Sequence, residues 1–317
     1  MSGPLVTMAV LDAYGAGFEY TKPAFVRQHH KLDKYIQHPK WKENPPGSYT
    51  DDTQMALALG ELMAGDKDPS HWTTVDVAQA FVSTFCRDPR PGYAAGFYQL
   101  LKHLHKNGGS SPFAKAVNFL STVEPHSRKN GGAMRAGILG LLPGQEMVVD
   151  LAMFQASLTH ATREGMGAAA AAALMTHYCH YRLGPKSGLP EYLHVWLPGF
   201  QWTVEWRGRV NSPGSEAVRA ALTAVLNGET LIDVLRISVD FGGDVDTVAA
   251  IAGCAASRCE EIAQFLPRVL HDQLENGDYG RDYLAKKDQE LLEKFPSPED
   301  PEESEDLIGE VSPDLWD

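Results

Sequence analysis

The chain has 317 residues, 43% of them hydrophobic, and a formal net charge of −13 from 41 acidic and 28 basic residues. That apolar content supports a substantial core. The acid excess, without basic clusters, argues against a general nucleic-acid binder, and no long apolar run or basic N-terminal leader marks a membrane span or a secretory signal.

The first clear element starts at Thr50-Asp51-Asp52-Thr53. Met55, Leu59, Leu62 and Met63 follow at helical spacing, which predicts a helix with one inward face and its aspartates at the mouth. Arg90-Pro91-Gly92-Tyr93 and Asn130-Gly131-Gly132 read as turns, and His160, closing Ser-Leu-Thr-His, reads as a capping or core histidine. Residues 165–174 form an alanine-rich helix suited to a bundle interior. His177 and His180 lie three apart at helical spacing, but no partner spacing supports a zinc site, so they read as a packed or hydrogen-bonded pair.

The segment from Pro185 to Pro213 holds Trp196, Phe200, Trp202 and Trp206 among several glycines. It is expected to be an irregular surface element or short strands, in part a cleft wall, with most of its aromatics packed in the core. Val218, Leu222, Val225 and Leu226 share a helix face that stops at Asn227-Gly228. Gly242-Gly243-Asp244-Val245-Asp246-Thr247 then opens a run of small residues that another helix backbone can approach closely. Beyond Phe295 the chain has no lysine or arginine. The expectation is a catalytic domain over 1–295 and an acidic, disordered or loosely docked tail over 296–317, whose Leu307, Ile308, Leu315 and Trp316 could anchor a protein partner.

Capping explains an aspartate at a helix start, and it suffices for either acidic cluster alone. Two such clusters far apart in one chain point instead to one shared metal site. Four carboxylates and three threonine hydroxyls are the hard oxygen donors that Mg²⁺ and Mn²⁺ prefer. No P-loop lysine or GxGxxG spacing accompanies the glycine turn, and no Ser-His-Asp or Cys-His arrangement is legible. Cys86, Cys179, Cys254 and Cys259 form no CxxC pair, which fits a reducing cytosol.

With the blocks Leu11 to Tyr20 (LDAYGAGFEY), SYTDDTQMALA, Asn130 to Arg135 (NGGAMR), SLTH ending at His160 and GGDVDTVAAIAG in this order, the chain resembles the ADP-ribosylglycohydrolases. These include the dinitrogenase reductase-activating glycohydrolases and the ADP-ribosyl-acceptor hydrolases. The resemblance implies an all-α, compact orthogonal multi-helix bundle with a central dinuclear metal cleft. It implies two Mg²⁺ or Mn²⁺ ions held by Thr50, Asp51, Asp52, Asp244, Asp246 and Thr247, with Glu19 beside the metals and the scissile bond. It makes Asn130, Gly131 and Gly132 a substrate-facing loop, brings His160 to the ribose or diphosphate, and offers Tyr93, Phe97 or Tyr98 to the adenine. Two positions depart from the family pattern: Leu11-Asp12 stands where Gly-Asp is usual, and Ala161 follows His160 in place of proline.

The implied activity is hydrolysis of the bond between ADP-ribose and an acceptor side chain, with Asp52 or Glu19 taking the proton of the attacking water. Arginine is the favoured acceptor, with serine and other linkages open; the substrate is an ADP-ribosylated protein or a small ADP-ribosyl compound. The alternative is a non-catalytic binding or immunity-type protein on the same fold.

Overall fold

A computed structural model describes residues 3–298, and among these the protein is all-α, with strand pairing confined to isolated bridges. In chain order the helices are α1 (Pro4–Ala16), α2 (Pro23–His29), α3 (Asp51–Ala64), α4 (Thr74–Arg87), α5 (Ala95–Asn107), α6 (Pro112–Thr122), α7 (Gln145–His160), α8 (Arg163–His180), α9 (Leu189–Trp196), α10 (Gly214–Asn227), α11 (Leu231–Asp240), α12 (Val245–Ala256), α13 (Arg268–Gln273) and α14 (Arg281–Lys294). The acidic segment 299–317 lies outside the described residues. None of the described helices is long and apolar enough to cross a membrane, and all four cysteines are free.

Helix α1 is buried along its whole length, as its nearly unbroken apolar sequence requires. It has no capping side chain at Gly3. Asp288 of α14 caps it instead, accepting the amides of Leu5 at 2.8 Å and Val6 at 2.9 Å. This satisfies two of the orphan donors that every helix start leaves. Burial pushes the Asp288 carboxyl up to about 7.

The small residues of α12 let α1 approach it closely. A β-carbon on Gly15 would lie 2.6 Å from the Asp246 Cα, so the two backbones touch where the second acidic block begins. Further along, a β-carbon on Gly253 would meet Leu11 Cδ2 at 2.8 Å. Gly253 thus makes room for Leu11, whose full burial stabilises the pair by about 1.5–3 kcal/mol. The departure at Leu11 is absorbed by a glycine on the facing helix. The alanine run falls on α8 and is buried throughout, and α10 stops at Asn227 with Gly228 as its cap.

The segment from Pro185 to Pro213 differs from expectation. Part of it is helix α9, because Pro190 pre-sets the first turn and Leu189, Leu193 and Trp196 fall on one buried face. Trp196 and Trp202 are core residues, but only Ser212 of this segment reaches the cleft described below. Its end serves as a brace: the Val210 amide donates to Gly242 O at 2.9 Å, and Val210 O accepts the Asp244 amide at 3.2 Å. Gly243 is held from its other side by the Tyr20 amide, at 2.7 Å.

Candidate active site

The site is built on Asp12, a fully buried residue of α1. One carboxylate oxygen accepts the Thr50 amide (3.0 Å), the Thr53 amide (3.2 Å) and the Thr53 hydroxyl (2.6 Å); the other accepts the Thr50 hydroxyl at 2.8 Å. Thr50 itself makes no side-chain cap for α3. Asp12 therefore does the capping from a neighbouring helix, and Asp51 and Asp52 are left for another task. Asp244, at the start of α12, likewise makes no side-chain cap. Helix capping does not account for either acidic block.

The two blocks meet. Asp52 Oδ2 lies 3.2 Å from the Thr50 hydroxyl, and Thr247 of the other block is a near neighbour of the Asp52 carboxyl, favouring its ionised form against the larger effect of burial. Asp244 Oδ2 accepts Asn130 Nδ2 at 3.0 Å and the Tyr20 hydroxyl at 3.2 Å. Asp51 sits beneath Gly92, whose φ of +117° suits glycine and where a β-carbon would overlap the Asp51 carboxylate. Gly243 is under a similar constraint, with φ +96° and Val210 O occupying the space of a β-carbon.

Burial raises the carboxyls of Asp51, Asp52 and Asp246 well above their usual range, and nearby acids, including Asp12, Glu19 and Asp244, push the same way. Burial, then the charge of Glu19, raises Asp244 as well, offset in part by the hydrogen bonds it accepts from Asn130 and Tyr20. Mutual repulsion and burial oppose full ionisation of such a set, and a bound cation would relieve both. Two oxygens, Asp52 Oδ1 and Asp246 Oδ1, are buried without a hydrogen-bond partner. Orphaned carboxylate oxygens among hydroxyls are the chemistry of a hard divalent cation, so these residues fit the metals that the family resemblance implies.

Glu19, His38 and Asp246 also place potential ligand atoms within 4.8 Å of one another. The imidazole is nevertheless unsuited to bind metal. Its Nδ1 accepts the amides of Lys40 at 3.0 Å and Trp41 at 3.1 Å, so the neutral ring carries its proton on Nε2. That N–H faces Glu19 Oε2 at 3.0 Å, close but out of line for a full hydrogen bond. His38 is thus a donor held against Glu19 by the loop backbone.

Above the acids opens a cleft of about 760 Å³. Glu19, Asp51, Asp52, Tyr93, Asn130, Gly131, His160, Asp244, Asp246 and Thr247 line it. Thr50 lies below the surface, on Asp12, and Gly132 lies behind Gly131 against Ala156. Tyr93 is almost wholly buried and its hydroxyl donates to Gln54 at 2.6 Å, while Phe97 and Leu100 supply further apolar lining. Tyr98 is absent from that lining. Asp12, Tyr20 and Arg135, which lie in the family blocks, and His38, which does not, bear on the site although the sequence assigned them no role.

The sequence profile of the ADP-ribosylglycohydrolases matches residues 2–301. The chain belongs to the ADP-ribosylglycohydrolase family. Among the members it is similar to, the ADP-ribosyl-[dinitrogen reductase] glycohydrolase of Rhodospirillum rubrum is 24% identical over 80% of this chain and 83% of its own. The human ADP-ribosylhydrolase ARH3 is 30% identical over 49% of this chain and 45% of its own length. A solved structure titled ADP-ribosylglycohydrolase-related protein complex superposes with a TM-score of 0.60 at 25% identity, covering 92% of this chain and 96% of that one. As an ADP-ribosylglycohydrolase the protein is a glycosidic-bond hydrolase, and the purely binding alternative is set aside.

Proposed function

We propose that residues 1–295 form a metal-dependent hydrolase that releases ADP-ribose from modified protein side chains, with arginine as the first acceptor to test. The observation that carries this reading is the meeting of two distant acidic blocks, with orphaned carboxylate oxygens, on the floor of one large cleft. The names of the relatives support the substrate class, since both refer to ADP-ribosyl linkages.

Thr50, Asp51, Asp52, Asp244, Asp246 and Thr247 would hold two Mg²⁺ or Mn²⁺ ions. When bound, divalent cations supply Lewis acidity that lowers the pKa of water and attracts ribose hydroxyls. The rest is the work of the chain. Glu19 and Asp52 are the candidate proton acceptors for the attacking water. Glu19 is the better placed for it, since it keeps a partly open position at the cleft while His38 restrains its carboxylate. The carboxylate floor opposes the positive charge that an oxocarbenium-like transition state develops on the sugar. Asn130 and Gly131 border the acids on one side, and Tyr93 and Phe97 offer apolar surface for the base.

The test is release of ADP-ribose from arginine- and serine-modified proteins with Mg²⁺, Mn²⁺ or chelator, beside an Asp246→Ala control. Release that is metal-dependent, confined to one linkage and lost in the control supports the reading and names the acceptor. Release that persists in chelator and in the control refutes it.

A further inference from the structure

Arg135 is an unusual neighbour for an acidic cleft, being a cleft-lining arginine that is 1% exposed. Its hydrogen bonds go to neutral groups: Nε donates to Gln155 Oε1 at 2.5 Å, and Nη2 donates to Gln155 O at 3.3 Å and Thr159 Oγ1 at 2.8 Å. The guanidinium also stands 4.3 Å over the ring of Phe81. Burial lowers its pKa to about 9, which leaves it protonated at neutral pH.

An arginine can only donate, so Thr159 Oγ1 is an acceptor in that contact. The same oxygen lies 2.7 Å from His160 Nδ1. If Nδ1 carried a proton, the buried threonine hydroxyl would be left with no acceptor for its own hydrogen, and buried polar groups are rarely left so. The consistent arrangement runs one way: Arg135 donates to Thr159, Thr159 donates to His160 Nδ1, and the imidazole proton sits on Nε2. That nitrogen points past Gly131, where a β-carbon would stand only 3.2 Å from it. The missing side chain leaves its N–H open to the cleft. Burial first, then the charges of Arg135 and Lys129, lower the His160 pKa to about 3, so the ring stays neutral.

We infer that Arg135 and Thr159 are positioning residues that lock His160 as its Nε2–H tautomer, so that it offers the substrate a hydrogen-bond donor and cannot act as a base. The ligand atom it takes is an acceptor oxygen, of phosphate or ribose. Identifying that ligand as ADP-ribose rests on the proposed function; the tautomer does not. A glutamine or asparagine at this place could turn either face to the ligand, whereas the relayed imidazole has one polarity.

The test is long-range ¹H–¹⁵N NMR of the metal-free protein labelled with ¹⁵N-histidine, with His160 assigned by difference against His160→Gln. Wild type and Thr159→Ser should show a protonated Nε2 and a bare Nδ1, and Thr159→Val should show a mixed or reversed tautomer. ADP-ribose affinity by calorimetry should fall by up to about tenfold in Thr159→Val, the worth of one hydrogen bond, and return in Thr159→Ser. A wild-type His160 protonated at Nδ1, or a tautomer unchanged in Thr159→Val, overturns the relay. The expected tautomer pattern in a protein that binds no ADP-ribose upholds the relay and overturns the substrate reading.

Discussion

Asp12 is the residue whose removal tests the architecture of the site most directly. In Asp12→Ala the Thr50 hydroxyl can turn fully to Asp52, 3.2 Å away, and the Thr53 hydroxyl can rotate in search of another acceptor. The amides of Thr50 and Thr53 cannot move without unwinding the start of α3, and each buried, unpaired amide costs about 1–3 kcal/mol. Against this, the substitution removes one charge from the repulsion felt by Asp51, Asp52 and Asp246. The balance is a loss of about 2–4 kcal/mol, or a drop in Tm of roughly 3–6 °C for a chain of this size. Asp12→Asn behaves differently. Its carbonyl can keep the three bonds now made to Oδ2, and its amide can donate to the Thr50 hydroxyl once that hydroxyl points at Asp52. The expected loss is below about 1.5 kcal/mol. Urea and thermal unfolding in chelator at pH 7 separate the two variants. An alanine variant as stable as wild type, or an asparagine variant as damaged as alanine, would refute the claim that hydrogen-bond acceptance by Asp12 holds the helix start.

Asp246→Ala and Asp51→Ala should each lower ADP-ribose release by on the order of a thousandfold, combining lost positioning with lost acid–base help; near-normal rates in both would end the case for a shared metal site. Glu19→Gln should lower kcat while calorimetry still detects Mn²⁺ binding, whereas loss of metal binding would make Glu19 a ligand. The cluster carboxyls are raised above the ordinary 3.8, so the folded state holds more protons than the unfolded one and metal-free stability should fall as pH rises from 3.8 through the raised values. One fixed Mn²⁺ concentration, about a hundredfold above the Kd at pH 8, should therefore raise Tm by about 3–6 °C at pH 8 and by less at pH 5, where protons compete for the carboxylates; equal gains at both pH values would count against the cluster as the binding site. Gly243→Ala should destabilise the protein and weaken Mn²⁺ binding together, because the added carbon meets Val210 O; a variant that melts and binds like wild type would show that the brace is dispensable.

The acidic blocks were legible because their donors are contiguous in the chain and stand at helix starts. Asp12 was not, since its meaning lies in two threonines that folding brings from 38 and 41 positions away. His38 hides for a similar reason: it sits in a proline-flanked loop with no motif, and only the amides of Lys40 and Trp41 reveal its tautomer. The fold class could be read from helical spacing and the family blocks. In the aromatic segment the core packing of Trp196 and Trp202 was legible, but helix α9 was not, because glycine and prolines dilute the spacing of Leu189, Leu193 and Trp196. Nor does any periodicity show that Val210 braces the glycine turn. Tyr93 was picked out for its ring, yet its hydroxyl bond to Gln54 and its burial make it as much a structural residue as a cleft surface.

The halves of the acidic floor have a bearing on how the protein is made. Asp51 is translated early and Asp246 late, with most of the helices between them. A nascent chain that has not yet delivered α12 carries Asp51 and Asp52 without their counterparts, and α1 without the small-residue helix it packs on. Closing a loop of roughly two hundred residues adds little entropy over a shorter one, so distance alone does not hinder the final assembly; the delay is one of synthesis. The complete set of proposed metal donors can come together only after the last block leaves the ribosome. On the proposed reading, metal capture would then follow the meeting of the two blocks, and a product truncated before α12 would lack half of the acidic floor.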